Sequence, residues 1–247
     1  MSPIPPLLAL ETSEAFTSVA LLLPDGTVLK RESNDHNDHA EVLTTMMDSL
    51  RLEAGRAWQD LGAIGVSQGP GSYTGLRIGY ATAKGLCLAA NIPLVAISTL
   101  AAISLALESI YEANKNILTP CCFVPMIDAR RMEIYTQTFL SDQTPFNTPY
   151  ACILSDRLPT IPSGTHAYYA GSGAAKARDI LNPNEWTWVE HPIVRATDLL
   201  PLLKKRYLEA IFENLAYAEP LYVKDFEVTP ARRNPLAPRN HANECTE

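Results

Sequence analysis

Three groups of residues in this chain have types and spacings that could do chemistry. The first is the run Gly69-Pro70-Gly71-Ser72-Tyr73-Thr74-Gly75-Leu76-Arg77-Ile78-Gly79, set between an apolar stretch (Leu61 to Val66) and a long helical pattern. Glycines at a strand-to-helix junction let backbone N–H groups gather around an anion, or let another backbone come close. The run lacks the Lys-Ser or Lys-Thr of a P-loop. Its first three glycines space as G-x-G-x-x-x-G, one residue longer than a dinucleotide fingerprint. The second group is Glu11-Thr12-Ser13, which closes the apolar run Leu7 to Leu10. A carboxylate and two hydroxyls there could face metal and phosphate, or form a polar strand end with hydroxyl turns. The third is His36 and His39 with Asp35 and Asp38. No second cluster with ligand spacing accompanies them, so they read as a solvated helix start. Ser72 lacks the G-x-S-x-G elbow of a hydrolase nucleophile.

The elements that must position these groups are set by periodicity. Leu7 to Leu10, Phe16 to Leu23 and Thr27 to Glu32 predict three strands, the last two joined by a Pro24-Asp25-Gly26 turn. Asp38 and Glu41 have capping-box spacing, ahead of Leu43, Met46, Met47, Leu50 and Ala54 on one helical face. Ala63 to Ser67 predicts the next strand, followed by the glycine run and a helix to about Ala90. Leu94 to Ile97 is another strand, and Ser98 can cap a helix to about Ala113. Phe123 to Ile127 and Glu133 to Phe139 predict strands around Asp128-Ala129-Arg130-Arg131. Asp198 to Asn214 predicts an amphipathic helix with Leu199, Leu202, Leu203, Leu208, Ile211 and Phe212 inward. A meander followed by βα units implies an α/β protein with a mixed sheet flanked by helices.

Within the helix after the glycine run, Gly75, Gly79 and Ala83 form one small-residue stripe, with Ala81 and Gly85 in a second row beside it. Small residues at this spacing let a neighbour approach closely, with Leu76, Ile78 and Tyr80 as apolar flanks. Periodicity alone does not separate a neighbour within this chain from another chain.

The chain has 247 residues, 47% of them hydrophobic, enough for one large core or two modest ones. A net charge of −7 argues against a protein that grips nucleic acid alone through a basic face. Five cysteines without Cys-x-x-Cys spacing point to a reduced chain, and adjacent Cys121 and Cys122 should face opposite sides of a strand. The start Met-Ser-Pro-Ile-Pro-Pro lacks signal-peptide features, and no stretch approaches the roughly 20 apolar residues of a membrane span. A soluble, cytoplasmic protein is expected. Beyond Phe226 the composition turns to Pro, Asn and Arg, so residues 227–247 read as a disordered tail.

Taken together, Leu8-Ala9-Leu10-Glu11-Thr12-Ser13, His39, Gly69 through Gly79, Ser98-Thr99-Leu100, Ile127-Asp128-Ala129-Arg130 and Ala218-Glu219-Pro220-Leu221-Tyr222-Val223 resemble the TsaB (YeaZ) family. The resemblance covers about residues 7 to 140 well and 218 to 226 in outline. It implies an actin-like ATPase (ASKHA) fold of two similar lobes, each a mixed sheet flanked by helices. The lobes would be 1–99, completed by the helix near 197–214, and 100–196. It also implies a dimerisation subunit of bacterial tRNA threonylcarbamoyladenosine synthesis. The catalytic subunit TsaD carries its metal on a His-x-x-x-His pair, where this chain reads Ser98-Thr99-Leu100-Ala101-Ala102-Ile103 without a histidine. Many family members have Asp where Glu11 stands here.

By this resemblance the chain is non-catalytic and requires no cofactor or metal, with ATP and a metal on partner subunits. Glu11, Thr12 and Ser13 become a vestigial nucleotide loop. The implied partners are a TsaD-like catalytic subunit, a TsaE-like ATPase and, through the complex, tRNA next to the anticodon; a homodimer is the alternative when the chain is alone. Leu43, Met47, Leu50, Leu76, Gly75, Gly79, Tyr80 and Ala83 are the expected partner interface, and Gly79→Arg is expected to break it while sparing the fold. The competing reading is an ATPase or metallopeptidase-like enzyme that depends on Glu11 or Ser72.

Overall fold

The computed structural model describes residues 4–33, 39–114, 120–191 and 193–224. The Asp35, His36 and Asp38 group, the Asp38 cap and the 227–247 tail lie outside the described residues. So does the side chain of His39.

The first sheet begins as a meander of β1 (Leu7–Glu11), β2 (Thr17–Leu22) and β3 (Val28–Ser33). Gly26, at φ +90°, lets the chain reverse between β2 and β3, and Leu23 N donates to Thr27 O at 2.8 Å across the turn. Next in the chain are α1 (His39–Glu53), β4 (Ala63–Gly69), α2 (Tyr73–Ala90), β5 (Leu94–Ser98) and α3 (Thr99–Asn114). The strand order is β3-β2-β1-β4-β5, antiparallel through the meander and parallel from β1 to β5. Central β1 is buried on both faces. Leu8 and Leu10 point into one core with Leu43, Leu50 and Tyr80, while Leu7 and Ala9 point into the other.

The second sheet contains β6 (Cys121–Asp128), β7 (Glu133–Thr136), β8 (Phe139–Leu140), β9 (Tyr150–Ile153), β10 (His166–Ala170) and β11 (Trp186–Trp188), with the short helix α4 (Ala174–Ala177) before β11. Its main path, β9-β7-β6-β10-β11, repeats the order of the first sheet, an antiparallel meander and then two parallel additions, with β8 paired to β6 outside that path. The two sheets, flanked by helices, make the two similar lobes that the resemblance implies. Along β6, Cys121 and Phe123 face the core shared by both sheets, while Cys122 and Val124 face α4, as strand alternation requires. The shared core contains α3, whose start is capped by Ser98 Oγ accepting from Ala101 N at 3.3 Å.

The last helix, α5 (Ala196–Leu208), returns beneath the first sheet, with Leu199, Leu200 and Leu203 buried. The sequence predicts a helix to Asn214, but the helix ends six residues earlier. Ala210 takes the left-handed conformation (φ +53°) and Glu213 N then donates to Leu94 O, so Leu208, Ile211 and Phe212 are exposed rather than inward. The strap beyond it is pinned by Lys84 Nζ on Ala218 O (3.0 Å) and by Leu221 N on Gln68 O (2.8 Å). It reaches the other lobe through the Lys224–Glu133 ion pair at 2.6 Å. Leu203 is fully buried against Gly65 and Ile97, so Leu203→Ala should cost about 2–4 kcal/mol, read as a lower urea midpoint with an unchanged slope.

Candidate functional site

Parallel pairing of β1 with β4 brings Glu11-Thr12-Ser13 and the glycine run to the same end of the first sheet. There the two segments touch. Ser72 N donates to Ser13 O at 2.5 Å. A Cβ at Gly71 would collide with Ser13 O, at Gly75 with Thr12 O, and at Gly79 with Thr12 Oγ1. Two donors at the start of α2 are also occupied: Ser72 N by Ser13 O, and Gly75 N by Ser72 Oγ at 3.3 Å. The glycines therefore admit this chain's own Thr12 and Ser13, and the cap of α2 is made within the chain.

Glu11 is fully buried, and its carboxylate accepts from Ser13 N at 2.5 Å. Burial pushes its pKa up to about 8, against the lowering effect of hydrogen bonds from Ser13 and Ser67; the Glu14 charge adds to the rise. Among the described residues Glu11 Oε2, Thr12 Oγ1, Ser13 Oγ and Thr99 Oγ1 are buried without a hydrogen-bond partner.

One turn further, Glu14 joins the lobes. It accepts from Ser172 Oγ, in the Gly171-Ser172-Gly173 loop, and from Val194 N at 3.2 Å. Burial raises its pKa, opposed by those two hydrogen bonds. Ser172 Oγ in turn accepts from Asp128 N at 3.0 Å, tying in the β6–β7 hairpin. The second lobe repeats the first lobe's contact, since a Cβ at Gly171 would strike Met126 O near the end of β6.

The eight residues expected to meet a partner are instead inside the lobe. Leu43, Met47 and Leu50 of α1 share a core with Tyr80 and Ala83 of α2, and Leu76 is buried beside Gly69. Gly75 and Gly79 face Thr12. The outward face of α2 is the neighbouring row, with Thr74, Arg77, Ala81 and Gly85 exposed, Leu88 76% exposed, and Leu52 of α1 62% exposed. Space beside Gly85 is open. Ser98 to Ile103 form the β5–α3 junction, with Thr99, Leu100, Ala102 and Ile103 buried. Among the described residues no group of three or more His, Cys, Asp or Glu side chains could hold a metal ion. No helix among them is long and apolar enough to cross a membrane.

The family model described as TsaD, tRNA N6-adenosine threonylcarbamoyltransferase, matches residues 31–147. A tRNA threonylcarbamoyladenosine biosynthesis protein TsaB from Haemophilus influenzae is 27% identical over 233 residues, covering 90% of this chain and 94% of that protein. Its Bacillus subtilis counterpart is 34% identical over 130 residues, about half of each chain. The solved structure of YeaZ from Pseudomonas aeruginosa superposes with a TM-score of 0.72 at 26% identity, over 89% of this chain and all of that one. The chain is similar to TsaB (YeaZ) proteins along nearly its whole length. These matches span about 90% of the chain and so take in both lobes.

The raised Glu11 pKa fixes a pH dependence. The folded state binds the Glu11 proton more tightly than the unfolded state, so stability is full below about pH 4.5 and declines as pH rises through about 8. Glu11→Gln should remove that decline and exceed the parent in stability at pH 8 by up to about 4 kcal/mol. Urea titrations at pH 5 and pH 8 measure the difference.

Proposed function

We propose that this chain is the non-catalytic subunit that binds and supports a TsaD-like subunit in transferring a threonylcarbamoyl group to adenosine next to the anticodon of tRNA. The observation that carries the reading is the closure of the glycine run onto Thr12 and Ser13, in a chain matched end to end by a TsaB protein. An ATPase or metallopeptidase needs Glu11 or Ser72 at a substrate. Here Glu11 is buried and held by Ser13, and Ser72 caps α2. ATP and a catalytic metal then belong to the TsaD-like and TsaE-like partners.

The docking helix is still α2, but its working face is the outward row of Thr74, Ala81, Gly85 and Leu88, extended by Leu52. Exposed apolar and small residues on adjoining helices offer a surface that a partner helix can cover. Gly85→Arg fills open space, so the monomer should melt within a few degrees of the parent while capture of the TsaD-like subunit falls at least tenfold. Gly79→Arg should fail differently, losing the cooperative thermal transition because its side chain meets Thr12 and Val66. Capture that survives both Gly85→Arg and Leu88→Glu would move the docking face elsewhere.

A further inference from the structure

The tip of the β6–β7 hairpin holds two consecutive arginines in the left-handed region, Arg130 at φ +71° and Arg131 at φ +49°. Glycine or asparagine takes this conformation readily, and arginine does not. The tip is held by Asp128 Oδ1, which accepts from Arg130 N at 2.5 Å, and by Glu133 N donating to Arg130 O at 3.1 Å. Both arginine side chains are exposed, and among the described residues neither guanidinium has an ion-pair partner.

The carboxylates at the base of the tip are already neutralised. Asp128 pairs with Lys176 at 2.6 Å and Glu133 pairs with Lys224 at 2.6 Å. Glu14, a further carboxyl near Asp128, is turned into the lobe junction and held by Ser172 and Val194. Four cations thus face two paired carboxylates, which leaves Arg130 and Arg131 outside the ion pairs of the described residues. The positive band continues onto the first lobe through the strap. Two residues before Lys224, Tyr222 accepts from Arg77 Nε at 3.3 Å, and its ring lies 5.1 Å from that of Tyr73. The Arg77 guanidinium sits 4.1 Å over the Tyr73 ring, and Tyr222 remains 40% exposed.

We propose that this band, centred on Arg130 and Arg131, is a contact for the sugar–phosphate backbone of tRNA. The inference rests on the tRNA-modifying role above and adds that this subunit touches the substrate with its own residues, despite its net charge of −7. A guanidinium fork matches a phosphate, and Tyr222, exposed beside Arg77 at the first-lobe end of the band, offers a face on which a base or ribose can lie. That aromatic surface favours RNA over an acidic protein, which would need only the charge.

The test uses the assembled complex with the TsaD-like subunit and an unmodified tRNA transcript, titrated across a salt series. R130N/R131G keeps the turn and removes both charges. Affinity should fall by roughly tenfold near 0.1 M salt, and the log–log salt slope should become shallower by about two. Capture of the TsaD-like subunit should persist, and the melting temperature should match or exceed the parent's. R130K/R131K should retain most of the binding. Unchanged affinity and slope in an intact complex overturn the contact and leave the subunit role standing. Loss of partner capture by R130N/R131G also overturns it, making the band a protein interface. A parent complex that binds no tRNA overturns both readings.

Discussion

The approach of Thr12 and Ser13 to the glycine run governs the rest of this molecule. Three positions along one side of the β4–α2 segment must lack a Cβ because a neighbouring backbone or hydroxyl fills that space. Given that approach, α2 lies flat on the first sheet, and its small-residue stripe is consumed internally. Its other side is left to solvent. Glu11 is sealed below the contact, where its charge is costly, and Glu14 is turned outward to the second lobe.

The two lobes share a strand order, and in each a glycine loop after the first parallel addition packs near the end of the meander's first strand. Beyond that loop they diverge. The first lobe builds an 18-residue helix and the second a four-residue turn of helix. One architecture used twice therefore presents one long helix. The α4 segment ties to the base of the β6–β7 hairpin through Ser172 and Lys176, and the arginines at the tip lie in solvent.

Much of the fold was legible because alternation and 3.6-residue periodicity record burial directly. The meander, the βα units, the Ser98 cap and the opposed faces of Cys121 and Cys122 all follow from local pattern. The end of α5 was not legible, since Leu208, Ile211 and Phe212 continue the apolar period while an alanine carries the left-handed break. The site was half legible. The glycine run marks a close approach, but its spacing is equally suited to a partner helix and to the Thr12 loop. The polar residues Thr74 and Arg77 were the available signal that the second row, with Ala81 and Gly85, faces water. Nothing in the composition of Arg130 and Arg131 announces their positive φ, which depends on the hairpin geometry around them.

The return of α5 beneath the first sheet sets an order for folding during synthesis. Leu7, Ala9 and Ile97 line a face whose cover is Leu199 and Leu203, about a hundred residues or more further along the chain. As the chain emerges from the ribosome, the first lobe to be made waits with one apolar face open until the second lobe is complete. The strap then closes over both. The earliest-synthesised lobe is thus the last to be finished, and a chain truncated before α5 would expose that face to aggregation.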